Sequence, residues 1–286
     1  MSGETKILDC RAVARGFQGW VREELKGFDK PPALATLYYA PRRNEGSLRY
    51  RELIHKDAAR LGVEARDFEA GDERGLLALI KRLNADSSVA GIMAFYPIGG
   101  RLPDEDLMDC VSPLKDVEGL HSLNLGYLIK YKRFLDEART VKCVVPATAK
   151  AVVKTLQHFD IPLEGRFVTI VNNSMRVGKP LGLMLENLGA TVVKVYDKTR
   201  PSDLKDCVGR ADIVVTAVPD PAFLLEPSWV KRGSTVIDVS YQGNVDAAAL
   251  KSPAAVTARD NRIGQVTRAM MFVNLVYCAK AQRAAR

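Results

Sequence analysis

The sequence predicts an α/β protein made of two domains, each a parallel sheet covered by helices. Three observations predict it. Short apolar runs alternate along the chain with amphipathic stretches of helical length, a pattern that implies parallel strands joined by crossover helices. Several runs, Ala211-Asp-Ile-Val-Val-Thr-Ala217 among them, are nearly continuous in apolar residues, as strands buried on both faces are. The 286 residues suffice for two substantial cores.

Taken in order, the first domain opens with Ile7-Leu8-Asp9 and an amphipathic helix from about Cys10 to Leu25. Residues 32–39, Pro-Ala-Leu-Ala-Thr-Leu-Tyr-Tyr, form an apolar run bounded by proline and charged residues, hence a buried strand. Ser47 to Leu61 reads as a helix stopped by Gly62. A strand over 63–68, a helix over 73–84 and a strand over 89–96 complete this series, the last ending at Pro97. A second series begins after Pro146. It contains a helix over 148–159, a strand over 167–171, a Gly/Pro-containing turn and a helix over 180–188. Strands over 189–196, 211–217 and 234–239 follow, which together make a Rossmann-like unit. A last helix spans about 266–283.

Composition excludes several classes. No apolar run reaches the roughly 18 residues that span a bilayer, and the start lacks the apolar centre of a signal peptide, so a cytoplasmic protein without membrane contact is expected. Five scattered cysteines show no Cys-x-x-Cys spacing, and three histidines show no metal spacing, so neither a disulfide framework nor a metal site is expected. The net charge of +8 is not gathered into an arginine-rich run or basic helix stripe, which argues against nucleic acid and suits a small anionic ligand.

The most informative stretch is Pro113-Leu-Lys115-Asp116-Val117-Glu118-Gly119-Leu-His121-Ser-Leu-Asn124-Leu-Gly126. It resembles the Pro-x-Lys-Asp-Val-Asp-Gly-Phe-His-x-x-Asn-x-Gly segment of the methylenetetrahydrofolate dehydrogenase/cyclohydrolase family, where it binds the pterin of folate. Ser47-x-x-Tyr50, Pro146-x-Thr148, Ser174-x-x-Val177-Gly178-x-Pro180, Ala211-Asp212-Ile213 and Ile237-Asp238-Val239 extend the resemblance over nearly the whole chain. It implies an N-terminal folate-binding domain (1–144, completed by the helix 266–286 folding back), a Rossmann-like domain (145–265), a cleft between them and a homodimer.

The departures from the family pattern fall at functional positions. In the family a tyrosine on one helix is followed four residues later, on the same face, by a lysine that handles protons in the cyclohydrolase step. Here Tyr50 is followed by Ile54. Lys56 lies about 240° around the helix from Tyr50 and reads as a surface partner of Glu52. The family's glutamine at the end of the third strand is Phe95. Ile54 and Phe95 are either plain core residues or a pocket wall that excludes water. Glu118 replaces an aspartate that accepts hydrogen bonds from the pterin's amino-pyrimidine edge. Lys115 and Asp116 are expected at the folate with it, or else as a charged pair that fixes the loop.

The dinucleotide signals are altered too. The family's Val-Gly-Arg-Ser is Val171-Asn172-Asn173-Ser174, without the arginine that meets the 2′-phosphate of NADP, and Arg176 is displaced. Pro219 and Ser240 stand where the family has glycine, and the Gly/Pro-rich loop near the nicotinamide is Ala258-Arg-Asp-Asn-Arg-Ile-Gly-Gln265. NADP is therefore not expected. Asp197 closes the second Rossmann strand about 25 residues after the glycine-loop position, where an acidic residue bonds the ribose hydroxyls of NAD. Its alternative is a solvated strand-end carboxylate beside Lys198.

Three functions follow. The leading expectation is a tetrahydrofolate-dependent enzyme that transfers a methyl or other one-carbon unit to or from a second small molecule, without cyclohydrolase activity. In it Tyr50 and Glu118 act at the pterin, Ile54, Phe95, Lys115 and Asp116 line the folate site, and Asn173, Ser174 and Asp197 form a vestigial or NAD-binding edge. The alternatives are a monofunctional NAD-dependent methylenetetrahydrofolate dehydrogenase and a non-catalytic folate-binding protein.

Overall fold

A computed structural model describes residues 5–42, 45–246, 250, 255–257 and 263–285. In chain order the elements are β1 (Lys6–Leu8), α1 (Cys10–Leu25), β2 (Ala33–Tyr39), α2 (Glu45–Leu61), β3 (Ala65–Ala70), α3 (Glu73–Ala85) and β4 (Val89–Ala94). Helices α4 (Asp104–Cys110), α5 (Ser122–Ile129) and α6 (Ala147–His158) come next. Then β5 (Phe167–Val171), α7 (Gly178–Glu186), β6 (Thr191–Val195), α8 (Pro201–Arg210), β7 (Ile213–Thr216), β8 (Thr235–Asp238), β9 (Ala255–Thr257) and α9 (Gly264–Ala284) follow. The chain divides into two compact units, one of Phe17–Ala147 with the residues from Arg268 onward, the other of the residues up to Gly16 with Thr148–Thr267.

The first unit holds a parallel three-stranded sheet in the order β3-β2-β4. β2 is central and buried along almost its whole length, as its unbroken Ala-Leu-Ala-Thr-Leu-Tyr run requires. The edge strand β3 starts two residues later than the expected 63–68, and helix-end chemistry explains the shift. The Val63 amide donates to Ala58 O at 2.9 Å and the Gly62 amide to Ala59 O at 3.3 Å, with Gly62 at φ +76°, so Val63 closes a Schellman motif instead of opening a strand. Leu37, Leu76, Ile80, Leu83, Ile92, Ile98 and Leu107 form one buried cluster under this sheet. Truncating a fully enclosed member such as Leu83 to alanine costs about 2–5 kcal/mol.

The second unit is a six-stranded parallel sheet in the order β1-β9-β8-β7-β5-β6. Counted from β5, its core order is 2-1-3-4-5, a doubly wound arrangement whose connections reverse direction between β5 and β7. In such sheets ligands bind outside the carboxyl ends of the strands at the reversal. Val171, Val195, Val208, Val214, Val236 and Val256 fill its core with Leu225. β1, expected to open the 1–144 domain, pairs instead with β9 in this sheet, Ile7 standing opposite Val256. That pairing joins segments far apart in the sequence, and no local pattern announces it.

Candidate active site

The segment resembling a pterin-binding loop lies beside β4. The Ile92 amide donates to Lys115 O at 2.7 Å, and Asp116 forms an isolated parallel bridge with Ile92. Lys115 is 5% exposed, and its ammonium donates to Leu83 O at 2.9 Å and Asp86 O at 2.6 Å, capping the last turn of α3. Asp116 is equally buried. Its carboxylate accepts from the Gly119 amide at 2.9 Å, the His121 amide at 2.8 Å and Asn124 Nδ2 at 2.9 Å. Burial pushes this carboxyl above the usual carboxylate range while those donors pull it down. Lys115 and Asp116, expected at the folate, are thus turned inward as the loop's scaffold.

The loop must also turn sharply. Gly119 has φ +72°, and a Cβ there would lie 2.4 Å from the Val145 carbonyl carbon and 2.6 Å from Pro146 N. No side chain fits. The Glu118 carbonyl accepts from the Ala147 amide at 3.1 Å, and Asn274 on α9 donates to both Val117 O and Val145 O at 2.9 Å. These bonds hold Glu118, half-buried, at the apex of a rigid turn. Asn274 was missed by sequence reading. Its signal was a lone amide inside the apolar run Ala269–Ala279, where a polar side chain needs a partner.

On α2 the expected aromatic group is present. The Phe95 ring stacks on Tyr38 with centroids 4.1 Å apart and meets Tyr50 edge-on at 6.4 Å and 84°. Tyr38 is tied to the start of α2 by its hydroxyl, which donates to Ser47 O at 2.6 Å. The Arg51 guanidinium lies 5.2 Å from the Tyr38 ring centroid. Ile54 is 0% exposed, so it belongs to the core and offers no surface to a ligand, which corrects the expectation that it lines the folate pocket. Lys56 is exposed with Glu52 on the outer face of the helix. A buried ion pair that sequence reading missed, Asp57 to Arg268 Nε at 2.6 Å, fixes α2 against α9. Its signal was an aspartate on the helix's buried face, one turn beyond Ile54.

At the reversal point of the six-stranded sheet, Asn172 follows β5 directly. Its Oδ1 accepts from the Ser174 amide at 2.9 Å, Ser174 Oγ at 2.8 Å and the Gly178 amide at 2.9 Å. Its Nδ2 donates to Ala217 O, at the end of β7, at 2.7 Å. Ser174 also caps the next turn by accepting from the Val177 amide at 3.1 Å. Asn173 is half-buried in this turn. Beyond β8, Ser240 Oγ donates to Asp238 Oδ1 at 2.6 Å, and Asp238 Oδ2 accepts from the Asn244 amide at 2.8 Å. Asp197 is exposed beyond β6, with Lys198 Nζ 3.2 Å away. Of the expected loop 258–265, residues 258–262 lie outside the described residues.

Two family models account for most of the chain. The catalytic domain of tetrahydrofolate dehydrogenase/cyclohydrolase matches residues 8–118, and the NAD(P)-binding domain of the same enzyme matches 146–283. The chain belongs to the tetrahydrofolate dehydrogenase/cyclohydrolase family. Among its relatives is the bifunctional protein FolD of Thermotoga petrophila, 32% identical over 283 residues that cover 96% of this chain and 99% of the relative. Two solved structures are also similar. A 5,10-methylenetetrahydrofolate dehydrogenase from the silkworm Bombyx mori is 28% identical, covering 98% of this chain and all of that one, with a TM-score of 0.87. A dehydrogenase-cyclohydrolase (FolD) from Trypanosoma brucei, complexed with NADP and an inhibitor, is 26% identical over 99% of both chains, with a TM-score of 0.89.

These findings correct two expectations. The relatives just named are dehydrogenases or dehydrogenase/cyclohydrolases rather than transferases, so methyl or one-carbon transfer to a second small molecule does not stand as the leading function. The expectation against NADP has no support either, because the matching domain is NAD(P)-binding and the trypanosome structure holds NADP. Folate is the substrate class that the family supports. Among the described residues, no helix is long and apolar enough to cross a membrane.

Proposed function

We propose that this protein is a monofunctional methylenetetrahydrofolate dehydrogenase, active in hydride transfer and inactive in the cyclohydrolase step. One observation carries the proposal. In a chain of this family, the helix position four residues after Tyr50 holds Ile54, wholly buried, and the neighbouring strand end holds Phe95 inside an aromatic stack.

The two reactions of the family differ in what they need from the protein. Oxidation moves a hydride from the methylene carbon to the nicotinamide, leaves a cationic methenyl group and releases no proton, so it needs mainly positioning. Hydrolysis of that methenyl group needs an attacking water and a group that carries its proton. Ile54 and Phe95 hold no proton. Tyr50 and Glu118 are the residues that hold the pterin in this proposal, the tyrosine by stacking and the carboxylate by accepting from the amino-pyrimidine edge.

The second unit fits a dinucleotide, which when bound supplies the hydride acceptor. Its doubly wound sheet has the required reversal at β5 and β7, and Asp197 stands exposed where a ribose acceptor belongs. Asp197 favours NAD over NADP in this reading, because its charge repels a 2′-phosphate. The test supplies methylenetetrahydrofolate with NAD or NADP, then methenyltetrahydrofolate alone. Nucleotide reduction without accelerated methenyl hydrolysis supports the proposal, whereas hydrolysis abolished by Tyr50→Ala overturns it.

A further inference from the structure

We infer that Asn172 is a built-in cap on the phosphate-facing end of α7, and that it sets how tightly this chain binds a dinucleotide. The ligand class rests on the dehydrogenase reading; the bonding of Asn172 does not.

Four observations converge on this residue. It sits at the β5–β7 reversal, where a doubly wound sheet receives its ligand. The first backbone amides of a helix at that point are the ones a phosphate would use. Here the Gly178 amide that opens α7 is bonded to Asn172 Oδ1 at 2.9 Å, and the helix has no side-chain cap of its own from Val177. The start of α7 is pressed onto the same residue, since a Cβ on Gly178 would lie 2.1 Å from Asn172 O.

The carboxamide is held from both ends. Its oxygen takes the Ser174 amide and hydroxyl as well as Gly178, and its nitrogen bridges to Ala217 O on the far side of the reversal. A phosphate approaching α7 therefore meets a neutral dipole already bonded to the donors it would use. Binding must displace that oxygen or forgo those donors. Either way affinity is lost relative to an open turn.

Two variants of the full chain separate this role from simple loop support. Asn172→Gly removes the cap and frees the Gly178 amide. Asn172→Asp keeps an oxygen for the same donors but adds a negative charge facing the phosphate. NAD and NADP are titrated calorimetrically into each protein, with no folate present. The freed helix end should tighten binding by about tenfold, and the aspartate should weaken it by a similar factor. Residue 172 as mere loop support would make both variants bind more weakly, or leave both unchanged, and either pattern overturns the inference. So would absence of binding to the wild type and to both variants. If Asn172→Gly does not fold, Asn172→Ala removes the same carboxamide with less added backbone freedom, and the aspartate comparison stands by itself. A protein that binds nucleotide in the expected order yet does not oxidise methylenetetrahydrofolate refutes the dehydrogenase reading while leaving the cap in place.

Discussion

Tyr50 and Glu118 sit on rigid supports, and that makes their roles separable from folding. Glu118→Ala should lower folate affinity by about 1–3 kcal/mol, the cost of leaving a ligand's donors unpaired. Calorimetric titration of tetrahydrofolate checks it, and an unchanged dissociation constant in a folded variant removes Glu118 from the site. Ile54 has the opposite character. Its side chain is enclosed, so Ile54→Lys should not restore hydrolysis by itself. It should bury an ammonium without a partner and cost several kcal/mol of stability, read as a fall in the denaturant midpoint. A variant as stable as the parent would mean that position 54 opens to water. Tyr50 was legible as a match to one family pattern, and Ile54, Phe95 and Glu118 as departures from it. Whether Ile54 was core or pocket wall was not, because helical spacing fixes a face of the helix and not the depth of burial.

At the scale of elements, long periodic segments were readable and short or non-local ones were not. β2 and α3 declare themselves by apolar runs and period. α4 and α5, of 7 and 8 residues, are too short for a period to show, and the pairing of β1 with β9 is a contact between segments far apart in sequence. The double role of Lys115 shows the same limit. It reads as a ligand residue from its motif, whereas its ammonium closes α3 through Leu83 O and Asp86 O. Lys115→Met should therefore destabilise the first unit by roughly 1–3 kcal/mol through unmet carbonyls, measured by chemical denaturation. Wild-type stability would return Lys115 to the ligand. A pH effect belongs to the turn after α5. Asp136 accepts from the Thr140 hydroxyl and from the Thr140 and Val141 amides, and these bonds hold its carboxyl at about 2, below the ordinary aspartate value of 3.8. A depressed folded pKa gives stability that is complete above the unfolded value and lost as pH falls through the folded one. Protection of the Thr140 and Val141 amides against exchange, relative to the unfolded chain at the same pH, should fall between pH 3.8 and about 2, and Asp136→Asn should remove that dependence. Protection independent of pH in the wild type would contradict it.

For the molecule as a whole, the two units carry their chemistry differently. The first holds a rigid turn built from Lys115, Asp116, Gly119 and Asn274, and carries Ile54 and Phe95 where the resemblance leads one to expect a lysine and a glutamine. The second keeps the doubly wound sheet, and Asn172 bonds the first amide of α7 at its reversal. On the proposed function, the altered pair, Ile54 and Phe95, offers no group that moves a proton. The expectation of a transferase came from reading those same losses as a new reaction; the similar structures, a dehydrogenase and a dehydrogenase-cyclohydrolase, overturn it. The most direct test mixes the protein with methylenetetrahydrofolate and NAD or NADP, and follows reduced nucleotide and methenyltetrahydrofolate together. Equal amounts of both should accumulate, with the methenyl compound decaying no faster than in buffer. Methenyltetrahydrofolate consumed faster than in buffer, or no reduced nucleotide from a protein that binds both ligands, would contradict the account.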